Sequence, residues 1–138
     1  MIQAARTALL LEDEPIVLTV FRKALENTGF TVLVAERSEA AHRWSNDPRV
    51  QIDVIVADLV LPGPSGTDAV LNIRASRPEI PVLFTSGTPI EFWPAADLRN
   101  LSWLPNDSYS FLQKPFTVQA FIKSVQDLLS RRSVHHTV

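Results

Sequence analysis

Five short apolar segments alternate with longer segments whose apolar residues recur at helical spacing, and this alternation constrains the fold most. The apolar segments span residues 7–12, 30–35, 52–57, 81–85 and 108–113. They are short for helices, and most are rich in Val, Ile, Thr or aromatic residues, as buried strands are. Strands that alternate with helices predict an α/β fold, in which helices cover both faces of a parallel sheet.

The third helix is expected to follow a loop dense in proline and glycine, with Thr67 as its cap. The segment 88–107 departs from the regular pattern because it contains Pro89, Pro94 and Pro105. Proline inside a helix removes a hydrogen bond and clashes with the preceding turn, so we expect an irregular fourth helix region.

Two tryptophans, Trp93 and Trp103, lie in the same irregular segment. They either form part of a mobile, exposed surface for a partner protein or pack inward over the sheet. The sequence leaves both arrangements open.

The length of 138 residues predicts a single domain, with a core over about 6–130 and a frayed tail at 131–138. The net charge of −2 gives no sign of a nucleic-acid surface, and the absence of cysteine excludes disulfides and thiolate metal sites. No apolar stretch approaches the ~20 residues of a membrane span, and the N-terminus lacks the core of a signal peptide. We therefore expect a cytoplasmic protein that binds neither nucleic acid nor membrane.

Residues suited to phosphoryl chemistry follow four of the five apolar segments. They are Glu12 at the end of the first and Asp13 directly after it, Asp58 after the third, Ser86 after the fourth and Lys114 after the fifth. The carboxyl ends of parallel strands meet at one edge of a sheet, where ligands of open α/β sheets bind. Three acids, one hydroxyl and one amine are therefore expected to form a small site for a cation and a phosphoryl group.

Four motifs in this order carry a family resemblance: LLLEDEP, VIVADLVLPGPSG, PVLFTSG and FLQKPF. From about residue 6 to residue 130, the chain resembles the receiver domain of two-component response regulators. The resemblance implies a doubly wound, flavodoxin-like fold with five parallel strands in the order 2-1-3-4-5. It also implies a cis peptide bond between Lys114 and Pro115.

The resemblance further implies a role for each polar residue at the strand ends. Asp58 would be the phosphoacceptor, and it would take a phosphoryl group from a histidine kinase or a phosphotransfer protein. The ligands of Mg²⁺ would be Asp13, Asp58 and the backbone carbonyl of Val60, with Glu12 acting through water. Lys114 would contact a phosphoryl oxygen as a point charge.

The hydroxyl residue and the switch residue are less directly assigned. Ser86 lies five residues after Pro81, where the family has its serine or threonine, and strand alternation is expected to bury the neighbouring Thr85. Phe111 occupies the position of the family's switching aromatic residue, although plain core packing explains it equally well. Tyr109 is a second candidate for the switch.

The leading hypothesis is a phosphorylatable receiver that signals through contact with a downstream protein, alone or as one step of a phosphorelay. It would catalyse only its own phosphorylation and dephosphorylation. Because the chain ends with the domain, we expect no DNA-binding output domain, although the sequence does not distinguish a stand-alone regulator from a piece of a hybrid kinase. The alternatives are a non-phosphorylated pseudo-receiver and an aspartyl-phosphate phosphohydrolase, which needs an acid where Val60 stands.

Overall fold

The computed structural model describes residues 5–136 and contains one five-stranded sheet. The strands are β1 (Thr7–Leu11), β2 (Thr31–Ala35), β3 (Val54–Asp58), β4 (Val82–Ser86) and β5 (Tyr109–Gln113). All neighbouring pairs are parallel, and their order is β2-β1-β3-β4-β5. The predicted fold class and strand order are therefore confirmed.

Every residue of the central strands β3 and β4 is buried. A strand covered by helices on both faces needs apolar side chains on both sides, which explains the unbroken apolar runs in the sequence. The strand order reverses between β1 and β3, which pair directly through Leu9 and Ile55. This reversal leaves a crevice at the carboxyl ends of those two strands.

Five α-helices of the described segment cover the sheet. They are α1 (Pro15–Asn27), α2 (Ser38–Ser45), α3 (Gly66–Ser76), α4 (Ala95–Leu101) and α5 (Val118–His136). Helix α5 continues to His136, into the segment 131–138 that was expected to fray, and the end of that segment lies outside the described residues.

Each face of the sheet has its own apolar core. Helices α1 and α5 cover one face with Phe21, Leu25, Phe121 and Val125. Helices α2, α3 and α4 cover the other face, with buried residues that include Ala41, Ala69, Val70, Ile73 and Leu101. The site at the carboxyl edge therefore rests on a sheet that is packed from both sides.

The connection between β5 and α5 is held by three stacked phenylalanine rings, those of Phe21, Phe116 and Phe121. Phe116 lies 5.5 Å from Phe21 and 5.9 Å from Phe121, measured between ring centroids. Because Phe116 is two residues beyond Lys114, this contact ties the lysine-bearing turn to α1 and α5.

The segment between β4 and β5 is irregular, as predicted. Helix α4 has only seven residues, and 3-10 turns precede and follow it at Ile90–Phe92 and Asn106–Ser108. Trp93 is 3% exposed and packs inward, whereas Trp103 is 78% exposed. Trp93 therefore packs inward and Trp103 is exposed, whereas the mobile surface for a partner protein stays a prediction.

Candidate functional site

The three predicted acids converge at the carboxyl edge of β1 and β3. Glu12 and Asp13 follow β1, and Asp58 is the last residue of β3. One carboxylate oxygen from each residue lies within 4.8 Å of the others. Glu12 is only 1% exposed and Asp58 9%, whereas Asp13 is exposed to solvent. The cluster is therefore half embedded in the protein and open on one side.

Lys114 extends into the same cluster from the end of β5. Its backbone N–H donates a hydrogen bond of 2.8 Å to the carbonyl of Ser86, and its bond to Pro115 is cis, as expected. The ammonium nitrogen Nζ lies 3.1 Å from Glu12 Oε1 and 3.4 Å from Asp58 Oδ2. One cation therefore lies within 4.0 Å of two of the three acids.

Burial and mutual repulsion alter the proton affinity of these groups. Burial raises the pKa of Glu12 to about 7, and the charge of Asp58 adds to this effect, while Lys114 opposes it. For Lys114, burial alone would lower the pKa, but the two carboxylates outweigh burial and raise it. Lys114 therefore stays cationic, and Glu12 keeps its proton to a higher pH than an exposed glutamate does.

This donor set fits a hard divalent cation. Three carboxylates face one ammonium group, so the cluster carries more negative charge than its own lysine neutralises. Oxygen ligands on one open side, with room for water, are the environment that Mg²⁺ favours. Glu12, Asp13 and Asp58 are therefore the residues able to hold such an ion.

The loop between β3 and α3 closes tightly behind Asp58. The N–H of Gly66 donates a hydrogen bond of 2.8 Å to the carbonyl of Leu59. A Cβ atom at Gly66 would lie 2.1 Å from the backbone oxygen of Asp58, so only glycine fits there. Val60, within this loop, is 70% exposed, and its N–H lies 3.4 Å from Asp58 Oδ1. Val60 thus directly follows the residue that Gly66 holds, Leu59.

The two candidate hydroxyl residues have different surroundings. Ser86 Oγ accepts a hydrogen bond of 3.0 Å from the N–H of Thr88, so its own hydroxyl proton is available to another acceptor. Thr85 lies in register with Asp58 on the neighbouring strand and is fully buried. Its hydroxyl has no hydrogen-bond partner among the described residues. Burial of Thr85 agrees with the strand alternation, although Ser86 is buried too.

An aromatic contact links the Ser86 loop to Phe111. The ring of Trp93 lies edge-on to Phe111 with a centroid distance of 5.1 Å, and its indole Nε1 donates a 3.0 Å hydrogen bond to the carbonyl of Thr88. The Thr88 residue is therefore held on one side by Ser86 and on the other by Trp93. The sequence left open whether Trp93 is exposed or packs inward, and it gave no sign of this hydrogen bond.

A five-stranded sheet of this order, with acids and a lysine at its carboxyl edge, defines the class of receiver domains. The response regulator receiver domain family matches residues 8–126. The chain belongs to this family, whose members are phosphoacceptors of two-component signalling.

Known relatives agree with this assignment. The chain is 30% identical over 95% of its length to the sensor kinase CckA of Brucella abortus, and 27% identical over 93% to TcrX of Mycobacterium tuberculosis, described as a probable transcriptional regulatory protein. A response regulator receiver protein from Sinorhizobium medicae matches in structure with a TM-score of 0.79. Its sequence identity is 29%, and the match covers 93% of this chain and 97% of that one.

The chain spans 13% of the length of CckA and 51% of the length of TcrX. The similarity therefore concerns the receiver part of those larger proteins. Among residues 5–136, none of the helices combines the length and the apolar character that crossing a membrane requires.

Proposed function

We propose that Asp58 accepts a phosphoryl group from a phosphohistidine on a histidine kinase or phosphotransfer protein. The observation that carries this proposal is the position of Asp58 at the end of the central strand. There its carboxylate lies within 4.8 Å of two other acids and 3.4 Å from Lys114. The phosphorylated domain then signals by contact with a downstream protein, in the cytoplasm where kinases obtain ATP.

In the transfer step, a carboxylate oxygen of Asp58 forms a bond to phosphorus while the bond between phosphorus and the donor imidazole nitrogen breaks. The electron pair of that bond stays on the nitrogen, which takes up a proton. The product is an acyl phosphate on Asp58 and a neutral histidine on the donor. The open side of the acid cluster leaves room for the donor to approach.

Lys114 and Ser86 hold the phosphoryl oxygens in this proposal. The ammonium group of Lys114 already lies beside Asp58 and keeps its charge because its pKa is raised by the two carboxylates, despite burial. The hydroxyl of Ser86 has a free proton to donate. A bound Mg²⁺ would neutralise the negative charge that three acids and a phosphoryl group bring together. Its ligands would be Asp13, Asp58 and the carbonyl of Val60, with Glu12 acting through water.

A phosphohydrolase is the less favoured alternative. Such an enzyme needs an acid two residues after the nucleophile to protonate the leaving group. That position holds Val60, which is exposed and has no ionisable group. A non-phosphorylated pseudo-receiver is also less favoured, because the acids and Lys114 are present and in contact. We propose that the domain acts on no other substrate than its own aspartyl phosphate.

The test is incubation with acetyl phosphate in the presence of Mg²⁺, followed by measurement of the intact mass. One phosphoryl group should add ~80 Da to the protein. The same incubation in EDTA should leave the mass unchanged, because the acids then lack their cation. Equal labelling with and without EDTA would contradict the role given to the metal, and no labelling with Mg²⁺ would contradict the proposed function.

A further inference from the structure

A buried carboxylate on α4 contacts the beginning of α3, away from the acid cluster. Asp97 is only 6% exposed. Its Oδ1 atom accepts hydrogen bonds from the hydroxyl of Ser65, at 2.7 Å, and from the hydroxyl of Thr67. Among the side chains described, residues 5–131, no lysine or arginine forms an ion pair with it. A buried carboxylate held in this way needs its hydrogen bonds, because leaving it unpaired is costly.

The groups that bond to Asp97 belong to the capped end of α3. Ser65 is the N-cap residue, and its side chain forms a reciprocal capping box with Asp68. Asn100, also on α4, donates hydrogen bonds of 3.0 Å to Thr67 Oγ1 and 2.8 Å to Asp68 Oδ1. The positive end of the α3 dipole further favours a carboxylate at this place. Four side-chain hydrogen bonds therefore join α4 to the first turn of α3.

That first turn also closes the loop that follows Asp58. Gly66 lies between Ser65 and Thr67; its N–H bonds to the carbonyl of Leu59, and its α-carbon packs against the backbone oxygen of Asp58. A shift of Ser65 and Thr67 therefore moves Gly66, and with it the closed end of the loop 59–65. The carbonyl of Val60 lies within this loop.

We propose that Asp97 is a positioning residue for the loop 59–65, so that α4 and the phosphoacceptor loop move as one unit. Asp97 bonds to the hydroxyls of Ser65 and Thr67, the residues on either side of Gly66. Gly66 in turn bonds to Leu59 and packs against Asp58. Only the effect on phosphorylation rests on the proposed function; the positioning role does not.

A purely structural role would have a narrower effect. If Asp97 only attached α4 to α3, its loss would loosen α4 and leave the loop 59–65 as it is. Amide hydrogen exchange distinguishes the two, because it reports the opening of each segment separately. It also requires neither metal nor phosphorylation.

The experiment compares the parent with Asp97→Ala, Asp97→Asn and the control Arg99→Ala, which changes an exposed residue of the same helix. For Asp97→Ala, exchange of the amides at Val60 and Gly66 should be about tenfold faster, because the hydrogen bonds to two hydroxyls are lost. Asp97→Asn keeps an acceptor oxygen and should restore most of the protection. Arg99→Ala should match the parent.

If Asp97→Ala does not fold, Thr67→Val serves instead, because it keeps the side-chain shape and removes one of the two hydroxyl donors. Its effect should have the same direction and be smaller. Faster exchange confined to α4, with Val60 and Gly66 unchanged, would overturn the proposal.

The half-saturating Mg²⁺ concentration for phosphorylation provides a second readout, and it should rise several-fold in Asp97→Ala. A parent protein that takes up no phosphoryl group would contradict the proposed function, yet the exchange result would still decide the role of Asp97.

Discussion

The ammonium group of Lys114 lies 3.1 Å from the carboxylate of Glu12, a side chain that is almost completely buried. The ion pair does not neutralise the site, since two further carboxylates lie within 4.8 Å. The free energy of unfolding should therefore depend on pH and on divalent cations.

The first prediction concerns the charge of Glu12. Burial and the charge of Asp58 raise its folded-state pKa from 4.5 to about 7, so between these values the folded protein keeps a proton that the unfolded chain has released. The free energy of unfolding should therefore fall as the pH rises through this interval. Glu12→Gln should weaken this pH dependence and, in EDTA at about pH 8, be more stable than the parent.

Chemical denaturation at several pH values measures this effect. Glu14→Gln is the matched control, because it removes the same charge from an exposed neighbouring position. Saturating Mg²⁺ should reduce the pH dependence of the parent by neutralising the acids. A parent whose stability rises between pH 5 and 8 in EDTA would contradict this account of Glu12.

The second prediction separates the two hydroxyls of β4. Ser86→Ala removes a donor to the phosphoryl group and should slow phosphorylation about tenfold, which corresponds to ~1.4 kcal/mol of barrier. Thr85→Val removes a buried hydroxyl that has no partner in the described part of the chain, so it should leave the labelling rate unchanged and the stability equal or higher. Labelling rates and denaturation curves of both variants provide the test. Slow labelling in Thr85→Val with a normal rate in Ser86→Ala would reverse the assignment.

The third prediction uses Trp93 as a natural probe. Its indole bonds to the carbonyl of Thr88, whose N–H bonds to Ser86 Oγ, so a change at Ser86 should alter the surroundings of the indole. Phosphorylation should change the tryptophan emission, and the double variant Trp44→Phe, Trp103→Phe should keep that change. A signal that persists in Trp93→Phe would show that another tryptophan is the source.

The fourth prediction concerns the loss of the phosphoryl group. The exposed side chain of Val60 beside Asp58 has no hydrogen-bonding group to orient an attacking water, so hydrolysis should be slow. Val60→Asn should speed decay after removal of the donor, by about tenfold or ~1.4 kcal/mol of barrier. Val118→Asn, at another exposed valine, is the control. Parent decay within seconds, or slower decay in Val60→Asn, would argue against this prediction.

The convergence of Glu12, Asp58 and Lys114 was predictable from the sequence. Each follows a short apolar run, and parallel strands bring their carboxyl ends to one edge whatever the details of packing. The register of the strands and the burial of Glu12 then follow from the two-sided core. The short apolar runs, and the rule that parallel strands end at one edge of the sheet, were sufficient to predict this part of the site.

The contacts of α4 were not predictable in the same way. Asp97 lies 32 residues from Ser65 along the chain, and no local pattern indicates that their side chains meet. The expectation that Thr67 caps α3 was wrong. Ser65 is the cap because Asp68, three residues later, completes the capping box, a signal that the sequence does contain. Thr67 is thereby free to bond to Asp97.

The most direct test of the central claim is labelling by acetyl phosphate of Asp58→Asn beside Asp53→Asn. Both residues lie at β3, but Asp53 is at the opposite end of the strand, where its carboxylate accepts a 2.7 Å hydrogen bond from the N–H of Thr7. Asp58→Asn should show no added mass, because an amide is not a nucleophile toward phosphorus, while Asp53→Asn should gain ~80 Da like the parent. Equal labelling of Asp58→Asn and the parent would contradict the assignment of Asp58 as the phosphoacceptor.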